Sequence, residues 1–146
     1  MLPKYWRLRA HNNTDQIVTY SLGGRVVCKM NGWRLVSGTI SYTDITDSIL
    51  SSGHTIPVGS SEEGTVQDNT SNLLWGVEGH FEVTADQTST DGTMYLYWEG
   101  SPDNTLWPSD QADFLASIPS NHMRMVAALP LTTDAEDEDA SINFSF

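Results

Sequence analysis

Four histidines and three strand-borne glutamates are the first residues to weigh for chemistry. His11, His54, His80 and His122 each stand apart from any nucleophile elbow or other recognisable nucleophile pattern, so activation of a hydroxyl or thiol has no support in the sequence. Glu78, Glu82 and Glu99 fall on the polar faces of segments read as neighbouring strands, the placement that a pair of glycosidase carboxylates requires. Carboxylates on exposed strand faces also keep sheet edges from aggregating, and an acidic chain is expected to carry them. Asp103-Asn104 and the tract Asp134 to Asp139 supply the oxygens a hard cation prefers, yet neither has the spacing of an EF-hand loop. The single Cys28 excludes an intrachain disulfide and a cysteine-based zinc site. The expectation is a protein that is not an enzyme, with no catalytic residue, no metal and no cofactor.

Binding chemistry is better represented. Trp75, Tyr95, Tyr97, Trp98 and Trp107 gather in one stretch and the loop after it. Tyr95 and Tyr97 alternate with Trp98, so one of the two sets lies outside the core. Tyr95, Tyr97 and Trp107 are therefore candidates for an aromatic protein interface or, as the alternative, a glycan platform of a carbohydrate-binding or host-receptor-binding β-sandwich module. Charge is segregated as well. Six of the seven basic residues precede or include Arg34, with only Asp15 opposing them, whereas Arg124 alone faces eighteen acidic residues in the remainder. Either the basic N-terminal strands pair internally with the acidic remainder, or they dock on an acidic surface of a partner. Lys4, Tyr5, Trp6, Arg7 and Arg9 are the candidate partner-binding residues, with the two aromatics as anchors. In the alternative, the same segment is an edge strand protected by its charges.

A net charge of −12 disfavours free nucleic acid as a partner. No apolar run approaches the length of a membrane span, and Met1 to Ala10 lacks an apolar signal core, so no membrane partner is expected.

The elements that must position these residues read as strands. Leu74 to Ala85 alternates, with Trp75, Val77, Phe81 and Val83 on one face and Glu78, His80 and Glu82 on the other. Thr93 to Glu99 puts Met94, Leu96 and Trp98 opposite Tyr95, Tyr97 and Glu99, and the turn residues Ser89 to Gly92 predict a hairpin between the two segments. Further strands are expected at Tyr5 to Ala10, Ile17 to Leu22, Arg25 to Met30, Trp33 to Tyr42, His122 to Leu129 and Ser141 to Phe146, with turns at Gly23-Gly24 and Asn31-Gly32. Ser109 to Ile118 reads as one short helix, capped by Ser109 and stopped by Pro119, and Thr43 to Leu50 as a weaker helical pattern. The polar excursion 51–72 and the acidic loop 132–140 are expected to stand outside the core. The fold class is all-β: a single antiparallel β-sandwich or jelly-roll-like domain over 1–146, with about eight strands.

The segment from Thr90 to Asp110, TDGTMYLYWEGSPDNTLWPSD, together with the terminal strand SINFSF ending at Phe146, resembles small β-sandwich virion proteins of tailed bacteriophages. In these a strand ending in a Ser-Pro-Asp turn leads to a Trp-Pro loop, and the last strand closes the sheet. The resemblance covers roughly a third of the chain and its motifs are short. It implies a structural protein of the virion, either a capsid decoration (cement) subunit or a tail-attached accessory protein, assembled in the host cytoplasm. The implied partners are other virion proteins of capsid or tail and copies of the chain itself. Heptads, collagen-like triplets and internal repeats are missing, which argues against a long fibre shaft.

Overall fold

The computed structural model describes residues 1–19, 25–49, 55–85, 90–110, 123–133 and 138–146. Alternation along the long strands decides the architecture, because each buries its even or its odd residues. On β1 (Tyr5–Thr14), Trp6, Leu8 and Ala10 are fully buried. On β3 (Arg25–Val36) the buried set is Val26, Cys28 and Met30, and on β8 (Gly76–Ala85) it is Val77, Phe81 and Val83. On β9 (Thr90–Ser101), Met94 and Leu96 point inward. These faces meet in one apolar cluster, completed by Ala127, Leu129 and Leu131 of β10 (Met123–Thr133) and Phe144 of β11 (Glu138–Ser145). Strands with one dry face have to stack in pairs, and here they form a β-sandwich.

One sheet runs β10-β9-β1-β6, with β6 at Ser61–Glu63, and β7 (Gln67–Asp68) also pairs with β1. The other runs β11-β8-β3-β4, with β4 at Thr39–Ser48. A two-residue ladder joins β2 (Val18–Thr19) to β5 (Thr55–Ile56). Every pairing is antiparallel. On one side of the sandwich β10 lies against β11. On the other, Asp47 of β4 meets Thr65 in the link between β6 and β7.

Four expectations are corrected. Asn31-Gly32 makes no turn: β3 runs straight through it, and the hairpin to β4 closes at Ser37 (φ 50°) and Gly38 (φ 83°). Two successive residues with positive φ suit the twist of a tight hairpin. Gly32 is required for another reason, since a Cβ there would lie 2.5 Å from Leu74 Cδ1. Second, β8 and β9 are not a hairpin. β8 pairs with β3 and β11, β9 pairs with β1 and β10, and the chain passes from one sheet to the other between them. Third, Thr43 to Ser48 is strand, not helix. Fourth, the excursion is part of the fold: β5, β6 and β7 lie in it, Ile56 is fully buried in the core, and β6 and β7 line the edge of β1.

The expected helix is described only at its start, where Pro108–Asp110 forms a 3-10 turn; 111–118 lie outside the described residues, as does Gly23-Gly24. The acidic tract is described only where β11 begins at Glu138.

Candidate functional surfaces

The outer face of the β10-β9-β1-β6 sheet carries most of the predicted binding residues, and it brings them together as an internal network. Register sets Arg7 opposite Glu99, Arg9 opposite both Tyr97 and Glu63, and His11 opposite Tyr95 and Ser61. Arg7 Nε donates to Glu99 Oε1 at 2.6 Å, and Arg7 Nη1 pairs with Glu63. Arg9 pairs with the other Glu63 oxygen and lies 3.5 Å from Glu99 Oε1. Ser109 ties the following loop onto this cluster: its Oγ accepts from Arg9 at 2.8 Å and its N–H donates to Glu99 Oε2 at 3.2 Å. Glu99 is fully buried, and both arginines converge on it. Trp107 closes the cluster from outside, with the Arg7 guanidinium 4.2 Å from its ring centroid.

This geometry revises the docking patch drawn from sequence. Trp6 is a core residue, packed edge-on against Phe146 at 5.5 Å. Arg7 is buried, and Arg9 spends its charge on Glu63 and Glu99. Only Lys4 and Tyr5 remain at the rim, where the Lys4 ammonium sits 5.1 Å over the Tyr5 ring. The charge asymmetry of the sequence is thus met by internal pairing on β1. A further strand-borne pair, Lys29 with Glu82 at 3.1 Å, lies on the opposite sheet.

The aromatic set is likewise engaged. Tyr95 stacks against His11 at 6.4 Å, and Tyr97 and Trp107 are both buried. Burial lowers the His11 pKa and raises that of Tyr97. The carboxylate arrangement is corrected too: Glu78 and Glu82 belong to one sheet and Glu99 to the other, so Glu99 faces neither of them across a substrate.

His80 and Glu78 do share an open groove of about 740 Å³ on the outer face of the second sheet, with Lys29, Asn31, Asn143 and Ser145. There the His80 Nδ1 contacts Asn143 Oδ1 at 2.5 Å. Asp103, a cation-ligand type by sequence, caps its own turn by accepting from the N–H groups of Thr105 and Leu106 at 2.9 and 3.1 Å. These bonds hold its carboxyl down to about 2. Among the described residues no three His, Cys, Asp or Glu side chains stand together in a metal-binding group.

One surface escaped the sequence reading. Past Trp33, β3 has left β8 behind and pairs with β4 alone, so the two continue beyond their sheet as a ribbon. Trp33 lies opposite Tyr42, and Leu35 opposite Ile40, which places all four on one face. Trp75 joins them, 6.4 Å from Trp33. Leu35, Ile40, Tyr42 and Trp75, with the neighbouring Val36 and Leu73, are each between 45% and 56% exposed. The available signal was the apolar content of Trp33 to Tyr42, which the sequence reading assigned to an ordinary strand with one buried face.

Comparison of the chain with protein-family models, with curated proteins and with solved structures finds no match.

Proposed function

We propose that this chain is a non-enzymatic structural protein of a tailed-phage virion, a capsid decoration subunit or a tail-attached accessory protein, acting through protein–protein contacts. The observation that carries the reading is the apolar face of the β3–β4 ribbon. Large apolar side chains clustered at the surface of a small domain mark an interaction site, and aromatics are enriched at the centres of such sites. A two-stranded ribbon reaching past its sheet can enter a depression on another subunit. The buried core behind it and the ion-paired outer sheet supply a rigid base.

The occupant of this face is a different virion subunit with a neutral or basic rim around an apolar depression. Copies of a chain with net charge −12 repel one another, whereas a less acidic shell attracts it. The short motifs shared with phage virion proteins point to the same setting. Docking on a symmetric shell also multiplies a modest contact by the number of sites.

The test is particle incorporation of the Leu35→Ser/Ile40→Ser double variant. Loss of two central apolar anchors is expected to lower occupancy at least about tenfold, with the thermal unfolding midpoint close to that of the parent. Unchanged occupancy overturns the docking role of the ribbon. Copy number on the purified particle separates the two settings: about hundreds for a decoration subunit, about six or twelve for a tail or neck ring.

A further inference from the structure

Among the described residues, the long sheet edges are guarded at all places but one. β10 carries Pro130 and an irregular register between Met125 and Ala127, and it lies against β11 on the closed side of the sandwich. The outer side of β1 is lined by β6 and β7. β4, the last strand of its sheet, runs ten residues in unbroken register with no proline, lysine or arginine along it. An unprotected edge of that length is a template on which another chain can pair. We propose that the β4 edge from Ile40 to Thr46 binds an extended, lysine- or arginine-bearing segment of a partner protein as an added strand. In this mode main-chain bonds supply affinity and alternate side chains supply selectivity.

Which main-chain groups are free follows from the ladder. The Ile49 N–H donates to Val26 O at 3.0 Å. In this antiparallel pair the residues with inward side chains, Met30 with Ile45 and Cys28 with Asp47, therefore exchange the bonds between β3 and β4. Ile40, Tyr42, Asp44 and Thr46 turn their N–H and C=O groups away from β3, and none of these groups has a partner among the described residues. Past them the edge is closed at Asp47, whose two oxygens accept from the Thr65 N–H. A slot of about 370 Å³ runs along the open stretch, lined by Thr43, Asp44, Ile45 and Thr46 in succession and by Gln67 and Asp68 of β7. Successive residues of a strand point to opposite faces and share only its edge, so the slot presents main chain rather than one side-chain face.

Charge selects the occupant. Ile40, Tyr42, Asp44 and Thr46 are all exposed on the outer face. Asp44 stands in one row with Asn31 and Glu78 across β4, β3 and β8, and neither carboxylate pairs with a cation among the described residues. A cationic residue of the added strand directly opposite Asp44 answers this row, and an apolar residue two positions away covers Tyr42. β4 of a second copy would instead bring another Asp44 to an edge already acidic, in a chain of net charge −12. The proposal goes beyond the apolar face of the ribbon, because that face offers side chains and the edge offers main-chain groups.

The probe is the acetylated, amidated peptide TVTKTVT. With its lysine opposite Asp44, its valines fall opposite Tyr42 and Thr46 in either strand direction. Hydrogen exchange at each β4 amide of the full chain is followed by NMR as the peptide is added. At saturation the Tyr42, Asp44 and Thr46 amides are expected to exchange at least about tenfold more slowly, while Ser41, Thr43 and Ile45, already bonded to β3, hold their rates. Glutamate in place of the peptide lysine is expected to weaken binding about tenfold, and Asp44→Lys, at an exposed position, to reverse that preference. No protection by the peptide, protection that ignores this alternation, or a preference unchanged in Asp44→Lys overturns the proposal. So does alternating protection that grows with protein concentration in the absence of peptide, which assigns the edge to a second copy. In Leu35→Ser/Ile40→Ser the response at Asp44 and Thr46 is expected to persist, which separates strand addition from particle docking.

Discussion

At the scale of single residues, two buried carboxylates behave in opposite ways. Glu99 is held by Arg7 at 2.6 Å and by Arg9 at 3.5 Å, so removing Arg7 leaves the buried carboxylate with only the longer contact to offset its desolvation. Arg7→Ala is expected to cost about 3–5 kcal/mol, with Arg7→Met/Glu99→Met recovering much of it; urea unfolding of the two variants measures this. Asp47 pairs with no cation among the described residues. It is buried on the inner face of β4, and both its oxygens accept from the Thr65 N–H, at 3.0 and 3.1 Å. Desolvation outweighs those bonds and raises its pKa. The native state therefore binds the proton more tightly than the unfolded chain. Asp47 contributes most to stability below the ordinary carboxylate value near pH 4, and that contribution fades as pH rises through the raised native value. Asp47→Asn keeps an acceptor for Thr65 and removes the charge. Its unfolding free energy relative to the parent is expected to rise between acid and neutral pH; a pH-independent difference counts against a buried charge at this position. Internal pairing of the basic N-terminal strands with the acidic remainder was one of the two alternatives legible in sequence, but which carboxylate meets which guanidinium depends on a pairing between distant strands.

At the scale of elements, the period-two signal gave the right inward set within β8 and β9, as in Val77, Phe81 and Val83 or Met94 and Leu96, but not at Trp75, placed on the same dry face and 46% exposed. It failed at connections. Asn-Gly and Ser-Gly are both turn dipeptides, and the first lies inside a strand where β3 is paired on both edges, Gly32 opposite Thr43 and Val77. Gly32→Ala is expected to destabilise by about 1–3 kcal/mol through overpacking. If the Leu74 contact is the cause, the double-mutant cycle with Leu74→Ala gives a favourable coupling, readable from denaturation midpoints. An additive cycle refers the cost elsewhere. The β8–β9 pairing failed for a related reason: an alternating strand fits any neighbour in either sheet, and Thr90, Asp91 and Gly92, turn types by composition, pair inside β9. The apolar ribbon was hidden because exposure is a property of where β8 stops, and residues 33–42 carry no mark of it.

At the scale of the whole molecule, all-β sandwich architecture was legible, whereas the surfaces available for binding were not. The residues with the most conspicuous chemistry, the arginines of β1 and the aromatics of β9, are largely consumed in holding the outer sheet and its loop together. Large apolar side chains stay exposed instead on the β3–β4 ribbon, at Leu35, Ile40 and Tyr42. Strand order carries one more consequence. Trp6 pairs with Gly100 and Leu8 with Trp98, so the long edge of the first strand stays open until most of the polypeptide has been synthesised, with only the short β6 and β7 available earlier on its other edge. Closing that long loop must precede any reward from the contact. Birth on the ribosome is therefore the vulnerable stage for this chain, and a chaperone that shields the nascent Trp6-Leu8-Ala10 stripe would decide how much of it ever folds.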